Sequence, residues 1–215
     1  MSDTITLNND SPSVQYLCSK DKRLKKVISM VGSITYTIHT NDYAFLVHEI
    51  IEQMLSIKAG QKIYSRLESL CGGQITPTAI ATLSDAEIRE TGTSNAKVTY
   101  IQNMTNAVIT GELNFEVLKT MSDEEVRKKL TSLRGIGDWT AKMHLIFVLD
   151  RPDILPFEDG AFQQSYRWLY KTNDCSPIAV KKKCAKWKPY SSIAARYLYR
   201  VLDLGYTKNE FHLFK

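Results

Sequence analysis

Apolar residues recur along most of the chain at three- and four-residue steps, the period of a helix with one buried face. Val14, Leu17, Leu24, Val27, Ile28 and Val31 follow it and predict a helix over 14–31. Asp42 can cap a helix over 42–58, with Phe45, Leu46, Ile50, Met54, Leu55 and Ile57 on its apolar side. Thr76-Pro77 sets a cap before proline at the first helical position. Ser84-x-x-Glu87 and Ser122-x-x-Glu125 are capping boxes, each opening a short helix by pairing a hydroxyl and a carboxylate with otherwise unbonded N–H groups. Val98, Ile101, Met104 and Val108 mark a longer helix ending at Gly111. Further helices are predicted near 159–171, 177–186 and 189–204, the last two opening on Pro177 and Pro189.

Only Ile34-Thr35-Tyr36-Thr37-Ile38 alternates as a strand would. One strand makes no sheet, so it reads as an extended connection. No internal repeat, low-complexity tract or Gly/Ser linker divides the chain. The prediction is an all-α protein of many short helices, with both ends of the chain packing into one lobe.

Composition changes this picture little. Of 215 residues, 43% are hydrophobic and 24% charged, as in ordinary globular proteins. That excludes intrinsic disorder, and no run approaches the roughly 18 apolar residues of a membrane helix. The N-terminal segment lacks the basic and apolar regions of a signal peptide, so an intracellular protein with no membrane partner is expected. Cys18, Cys71, Cys175 and Cys184 are too dispersed for a zinc or iron–sulfur set and read as reduced packing residues.

Charge matters once it is located. Residues 160–200 carry nine basic side chains (Arg167, Lys171, Lys181, Lys182, Lys183, Lys186, Lys188, Arg196, Arg200) against Asp174 alone. The segment is therefore +8 in a chain of net +5, leaving −3 elsewhere. Trp168 and Trp187 lie within it and Trp139 precedes it. Basic residues interleaved with aromatics suit an anionic polymer, although a basic helical face is also what ordinary solvation produces.

The sharpest local feature is Leu133-Arg134-Gly135-Ile136-Gly137-Asp138-Trp139-Thr140, between the 122–131 helix and an apolar one over 141–149. Two glycines around one apolar residue permit a tight turn with positive φ, and the next helix presents its N-terminal N–H groups there. Phosphate is the natural ligand of such a place.

Helix, L-x-G-I-G-x-W-T-A, helix, then a proline-bearing loop with an aspartate resembles the helix-hairpin-helix DNA glycosylases, nearest to the 3-methyladenine DNA glycosylase II branch. Glu52-Gln53-Met54-Leu55-Ser56 is similar to that branch's G-Q-x-x-S, and Gly135 to Ala141 to its hairpin. Leu155-Pro156 through Asp159 and Lys186-Trp187-Lys188-Pro189-Tyr190 complete the likeness. The resemblance covers roughly 15–206. It implies two helical lobes around a cleft in one module over 1–215. Lobe one would be about 42–131, the hairpin 122–149, and the second lobe 1–41 with 150–215. With only about 13 residues before the first predicted helix, a form without the bacterial branch's N-terminal β domain is expected.

By this resemblance Gly135, Gly137 and Thr140 would contact phosphate. Carbonyls of Thr131, Leu133 and Ile136 would hold Na+ or K+, and no other cofactor is required. Arg134 departs from the family's proline. Gln53 and Met54 would enter the duplex, Met54 as an apolar wedge; its spacing alone equally suits a core residue. Asp159 would be catalytic, with Glu158 the lesser alternative; unaided, Asp159 reads as a helix cap. Trp139, Met143 and Tyr199 would line the base pocket, while Trp187 and Tyr190 would pack between lobes. Trp139 stands where lyase-competent relatives carry lysine, which implies a monofunctional enzyme, although Lys142 lies close by.

The expected activity is hydrolysis of the N-glycosidic bond of alkylated purines (3-methyladenine, 7-methylguanine) flipped from double-stranded DNA, leaving an abasic site. The expected form is a monomer, in the cytoplasm or nucleoid of a bacterium or the nucleus of a eukaryote. An 8-oxoguanine-type glycosylase on the same scaffold and a non-catalytic helix-hairpin-helix binding module are the alternatives.

Overall fold

A computed structural model describes residues 4–213. In chain order, strand β1 (Thr4–Leu7) is followed by helices α1 (Pro12–Lys20) and α2 (Lys22–Val31) and strand β2 (Ile34–Thr37). Then come α3 (Asp42–Glu52), α4 (Ile57–Leu70), α5 (Pro77–Ala81), α6 (Asp85–Glu90) and α7 (Asn95–Ile109). The short α8 (Phe115–Thr120) leads to α9 (Asp123–Thr131) and α10 (Asp138–Phe147). The chain closes with α11 (Gly160–Tyr170), α12 (Pro177–Cys184) and α13 (Ser191–Asp203), with 3-10 turns at Ala185–Trp187 and Tyr206–Lys208. The all-α class holds, and both capping boxes form, at Ser84/Glu87 and Ser122/Glu125.

Four local expectations are corrected. Residues 34–37 are a true strand, because Thr4–Leu7 pairs with them antiparallel in the register Thr4↔Thr37 to Leu7↔Ile34. The segment predicted as one helix over 14–31 breaks at Asp21, whose carboxylate accepts from the N–H groups of Arg23 and Leu24 and starts α2 afresh. The one predicted over 42–58 is capped by Asn41, whose side chain accepts from Ala44 N, and not by Asp42; it ends at Glu52, and Ser56 caps a separate α4. Pro189 precedes its helix, which starts at Ser191.

The chain divides into two compact units, Met1–Ile38 with Asp150–Lys215 (unit 1) and His39–Leu149 (unit 2). Unit 1 buries Leu17, Leu24, Ile28, Phe162, Tyr166, Trp187 and Tyr197 together. Each fully buried side chain of this kind contributes roughly 1.5–3 kcal/mol. Trp187 is thus interior to unit 1, correcting its expected place between lobes. Unit 2 buries Leu46, Ile50, Ile51, Leu67, Ile101, Leu130 and Leu145. No helix among the described residues is long and apolar enough to cross a membrane.

Candidate functional site

In unit 2 the turn between α9 and α10 is built by backbone bonds from Leu133 N to Leu130 O and from Ile136 N to Leu133 O, both 3.1 Å. Gly135 adopts φ +98, and a Cβ there would meet Tyr100 Cγ at 2.2 Å. Only glycine satisfies both demands. Gly137 differs from expectation: its φ of −91 is open to any residue, and nothing lies within 4 Å of its would-be Cβ. It opens α10 with no side-chain cap, so what glycine provides there is room for a ligand beside the helix N-terminus.

A charged clamp holds the two helices of this turn. Asp138 Oδ1 receives Arg127 Nε of α9 at 2.5 Å, and its Oδ2 receives Lys142 Nζ, one turn along α10, at 2.9 Å. These cations offset a carboxylate standing where an anion would bind. Lys142 is buried. Trp139 is half-buried beside the turn. Thr140 and Met143 are 1% and 4% exposed, so the structure takes both off the surface: they face the interior because α10 buries every residue from Thr140 to Ile146. Leu133 and Ile136 are buried and Thr131 is exposed. Their backbone oxygens are hard, uncharged donors of the kind that alkali cations accept.

The other predicted contact is a tip. Met54 follows the end of α3 in the left-handed region, φ 59, at a cost of about 1–2 kcal/mol for a residue with a Cβ, and is fully exposed. Leu55 and Ile57 beside it are also exposed, correcting their expected place on an apolar helical face. The turn is held by Lys97, whose Nζ donates to Ile51 O at 2.9 Å and Gln53 O at 2.6 Å. Burial lowers the Lys97 pKa. Gln53 Nε2 in turn donates to Gly135 O at 2.9 Å. Lys97 was not foreseen, since nothing local links it to a turn 44 residues earlier. Arg127–Asp138 was equally hidden, but Asp138–Lys142 is a readable i,i+4 pair.

A second contact fixes the far ends of the same two helices. Buried His144 Nε2 of α10 donates to buried Asp42 Oδ1 at the start of α3, 2.9 Å away. With Gln53–Gly135 at the opposite ends, α3 and α10 must run antiparallel. The Met54 tip and the hairpin turn therefore lie at one end of unit 2.

In unit 1, Asp159 caps α11 with Oδ1 accepting from Phe162 N at 2.7 Å. It is half-buried, while Glu158 is exposed. The loop before it is tied by Asp159 N to Pro156 O and by Gln163 Nε2 to Phe157 O, both 3.0 Å. Tyr199 is half-buried against the unit 1 core on α13, which Ser165 Oγ–Leu198 O (2.8 Å) joins to α11.

The basic segment is less bare than its count suggests. Acids outside it fold back on four of its nine basic residues: Arg196 meets Asp150 at 2.9 Å, Lys186 meets Asp21 at 3.0 Å, Lys188 meets Asp153 at 3.9 Å and Lys171 meets Glu210 at 3.6 Å. Arg167, Lys181, Lys182, Lys183 and Arg200 remain exposed. Lys181 Nζ lies 4.4 Å over the Phe157 ring, beside the Asp159 loop.

Comparison with known proteins bears on this arrangement. The sequence model of the HhH-GPD superfamily of base excision DNA repair proteins matches residues 47–189. DNA-3-methyladenine glycosylase 1 of Schizosaccharomyces pombe is 30% identical over 201 residues, 90% of this chain and 88% of that one. A DNA-3-methyladenine glycosidase from Bacillus halodurans superposes with a TM-score of 0.86 at 33% identity, covering 97% of each chain. A Schizosaccharomyces pombe 3-methyladenine DNA glycosylase in complex with abasic DNA gives 0.83 at 28% identity, covering 90% of this chain and 97% of that one.

Proposed function

The chain belongs to the HhH-GPD superfamily of base excision DNA repair proteins, and from that premise we propose that it is a monofunctional DNA glycosylase hydrolysing alkylated purines such as 3-methyladenine and 7-methylguanine from duplex DNA. The observation that carries the reading is in unit 2. A fully exposed apolar tip is joined through Gln53 to a glycine-opened turn without a side-chain cap. Such an arrangement suits entry into a base stack with a simultaneous grip on the phosphates beside it.

Each residue then has a physical task. The turn at Gly135–Gly137 takes phosphate on backbone N–H groups; Thr140, being buried, supports the turn from within. Thr131, Leu133 and Ile136 carbonyls would hold Na+ or K+, whose positive charge would favour phosphate. Met54 enters the space left by the extruded nucleotide and offsets the lost stacking, a cost of a few kcal/mol. Aromatic faces such as those of Trp139 and Tyr199 suit an electron-poor alkylated base, and Met143 is buried within α10.

As the C1′–N bond breaks, its electron pair leaves with the base and cationic character develops on the sugar. The Asp159 carboxylate stabilises that charge and orients water, whose oxygen bonds to C1′ while its proton passes to the carboxylate or to solvent. A base bearing the extra positive charge of ring alkylation departs neutral, so little further assistance is required. At the two positions in question no free amine is offered: Trp139 has none, and the ammonium group of buried Lys142 is engaged by Asp138. This supports hydrolysis without strand cleavage. On this reading the enzyme acts on DNA as a monomer, in whichever compartment holds that DNA.

The test is single-turnover base release from a methylated duplex, with and without borohydride. Asp159→Asn should slow release on the order of a hundredfold or more while duplex binding persists, and borohydride should trap no covalent adduct. Equal release by both proteins refutes the role of Asp159, and a trapped adduct refutes the monofunctional reading.

A further inference from the structure

The Met54 turn carries a conformation that its own sequence does not favour; it is closed by Leu55 N to Glu52 O at 3.0 Å and braced by groups from α7. Lys97 donates to the carbonyls of Ile51 and Gln53, on either side of the point where α3 ends. One turn later on the same helix, Tyr100 fills the space that a Cβ on Gly135 would occupy. Gln53 closes the circuit by donating to the carbonyl of Gly135 itself. At the base of the loop, α4 comes so near α3 that a Cβ on Gly60 would lie 2.6 Å from Glu52 Cγ, so the turn cannot relax toward α4.

We propose that Lys97 is a positioning residue that holds the Met54 tip in its left-handed turn and at fixed spacing from the Gly135 hairpin, so that insertion into the duplex and phosphate grip act as one rigid tool. The inference rests on the wedge role given to Met54 above. Its physical content is pre-organisation. Without the ammonium group, the Ile51 and Gln53 carbonyls lose this donor, and the Leu55 N to Glu52 O bond (3.0 Å) is left to hold a residue with a Cβ at positive φ against its strain. The tip would then have to be ordered during each insertion, and that cost would fall on base extrusion. The hairpin, secured separately by Arg127, Asp138 and Lys142, would still bind the backbone.

The experiment uses the full chain and a duplex with 2-aminopurine beside a stable abasic-site analogue, so that unstacking is read as fluorescence without any base being released. Lys97→Met should keep duplex affinity within about threefold, lose most of the fluorescence rise, and slow release from a methylated duplex by on the order of ten- to a hundredfold. Lys97→Arg, which can reach the same carbonyls, should restore both signals. Should Lys97→Met fail to fold, Lys97→Gln, whose shorter side chain cannot serve both carbonyls, must give the same split between binding and unstacking. Wild-type unstacking by Lys97→Met, or an Arg variant as impaired as Met, overturns the proposal. A wild-type protein that unstacks DNA but releases no base refutes the glycosylase reading and leaves the fluorescence comparison decisive for Lys97. A wild-type protein that binds without unstacking removes the wedge and this proposal with it.

Discussion

Each unit contains an aspartate that gathers several donors, and the two are built to opposite ends. Asp21 in unit 1 is buried at 2% exposure. It caps α2 and accepts from Trp187 Nε1 and Lys186 Nζ, each at 3.0 Å, and from the Tyr170 hydroxyl. Burial alone would raise its pKa, but the bonds from Tyr170, Lys186 and Trp187 outweigh it and hold the carboxyl below its usual range. Asp138 in unit 2 is 40% exposed and meets two cations, Arg127 and Lys142. The first joins segments about 150 residues apart into one core. The second trims the shape and charge of a surface turn. The buried carboxylate ties distant segments into a core, and the exposed one shapes a turn at the surface.

The largest expected effect breaks the first hub. Asp21→Ala leaves the Trp187 and Tyr170 donors and a helix N-terminus unsatisfied, and should cost about 3–5 kcal/mol of stability in denaturant titration. The pH dependence has a definite sign. Since the folded carboxyl titrates below its unfolded value, the contribution is complete above the unfolded pKa and is lost as pH falls through the folded one. A wild-type protein with no excess acid lability over Asp21→Ala would show that the charge on the hub is immaterial.

A smaller effect sharpens the rim. Gly135→Ala must move Tyr100 and strain a positive φ, and should cost about 1–3 kcal/mol together with duplex affinity. Adding Tyr100→Ala should recover the steric part alone. Gly137→Ala, with open space around it, should leave stability within about 0.5 kcal/mol and yet weaken DNA binding, because the added methyl stands where phosphate approaches. If Gly137→Ala binds DNA normally, the ligand does not approach there.

These contrasts also mark what the sequence could disclose. The two capping boxes, Thr76-Pro77, Pro177 and the glycine-bracketed turn are local signals and appear where they were expected, whereas Asn41 takes the cap expected of Asp42 and Pro189 falls outside its helix. The end of α3 is not wholly local. Apolar spacing over 42–58 fits one helix or two, and the break is braced by a lysine on α7 as well as by its own turn and the Ser56 cap. The strand at Thr4–Leu7 is too short to announce itself without its partner. Likewise, counting charge over 160–200 could not foresee that Asp21, Asp150, Asp153 and Glu210 would fold back on it. Asp159 was legible in position, yet its cap bond to Phe162 and the catalytic task proposed for it coexist on one carboxylate, and pattern alone ranks neither.

The smallest prediction opposes the units by pH. His48 on α3 lies 3.7 Å from Glu49, 3.4 Å from Glu52 and edge-on to Tyr64. A hydrogen bond with Glu49 raises its pKa, burial works against this, and the charges of Glu52 and Glu49 add to the rise. A raised value reverses the sign found for Asp21: the contribution is complete below the unfolded pKa of about 6.5 and is lost as pH rises through the folded value. Because the ring is 30% exposed, the loss should not exceed about 0.5 kcal/mol, read as a lower denaturation midpoint at pH 8.5 than at pH 6. His48→Gln should flatten that alkaline slope while leaving the acid slope of Asp21 intact. A slope unchanged by His48→Gln would assign the alkaline loss to another group, and then only the acid limb would distinguish unit 1 from unit 2.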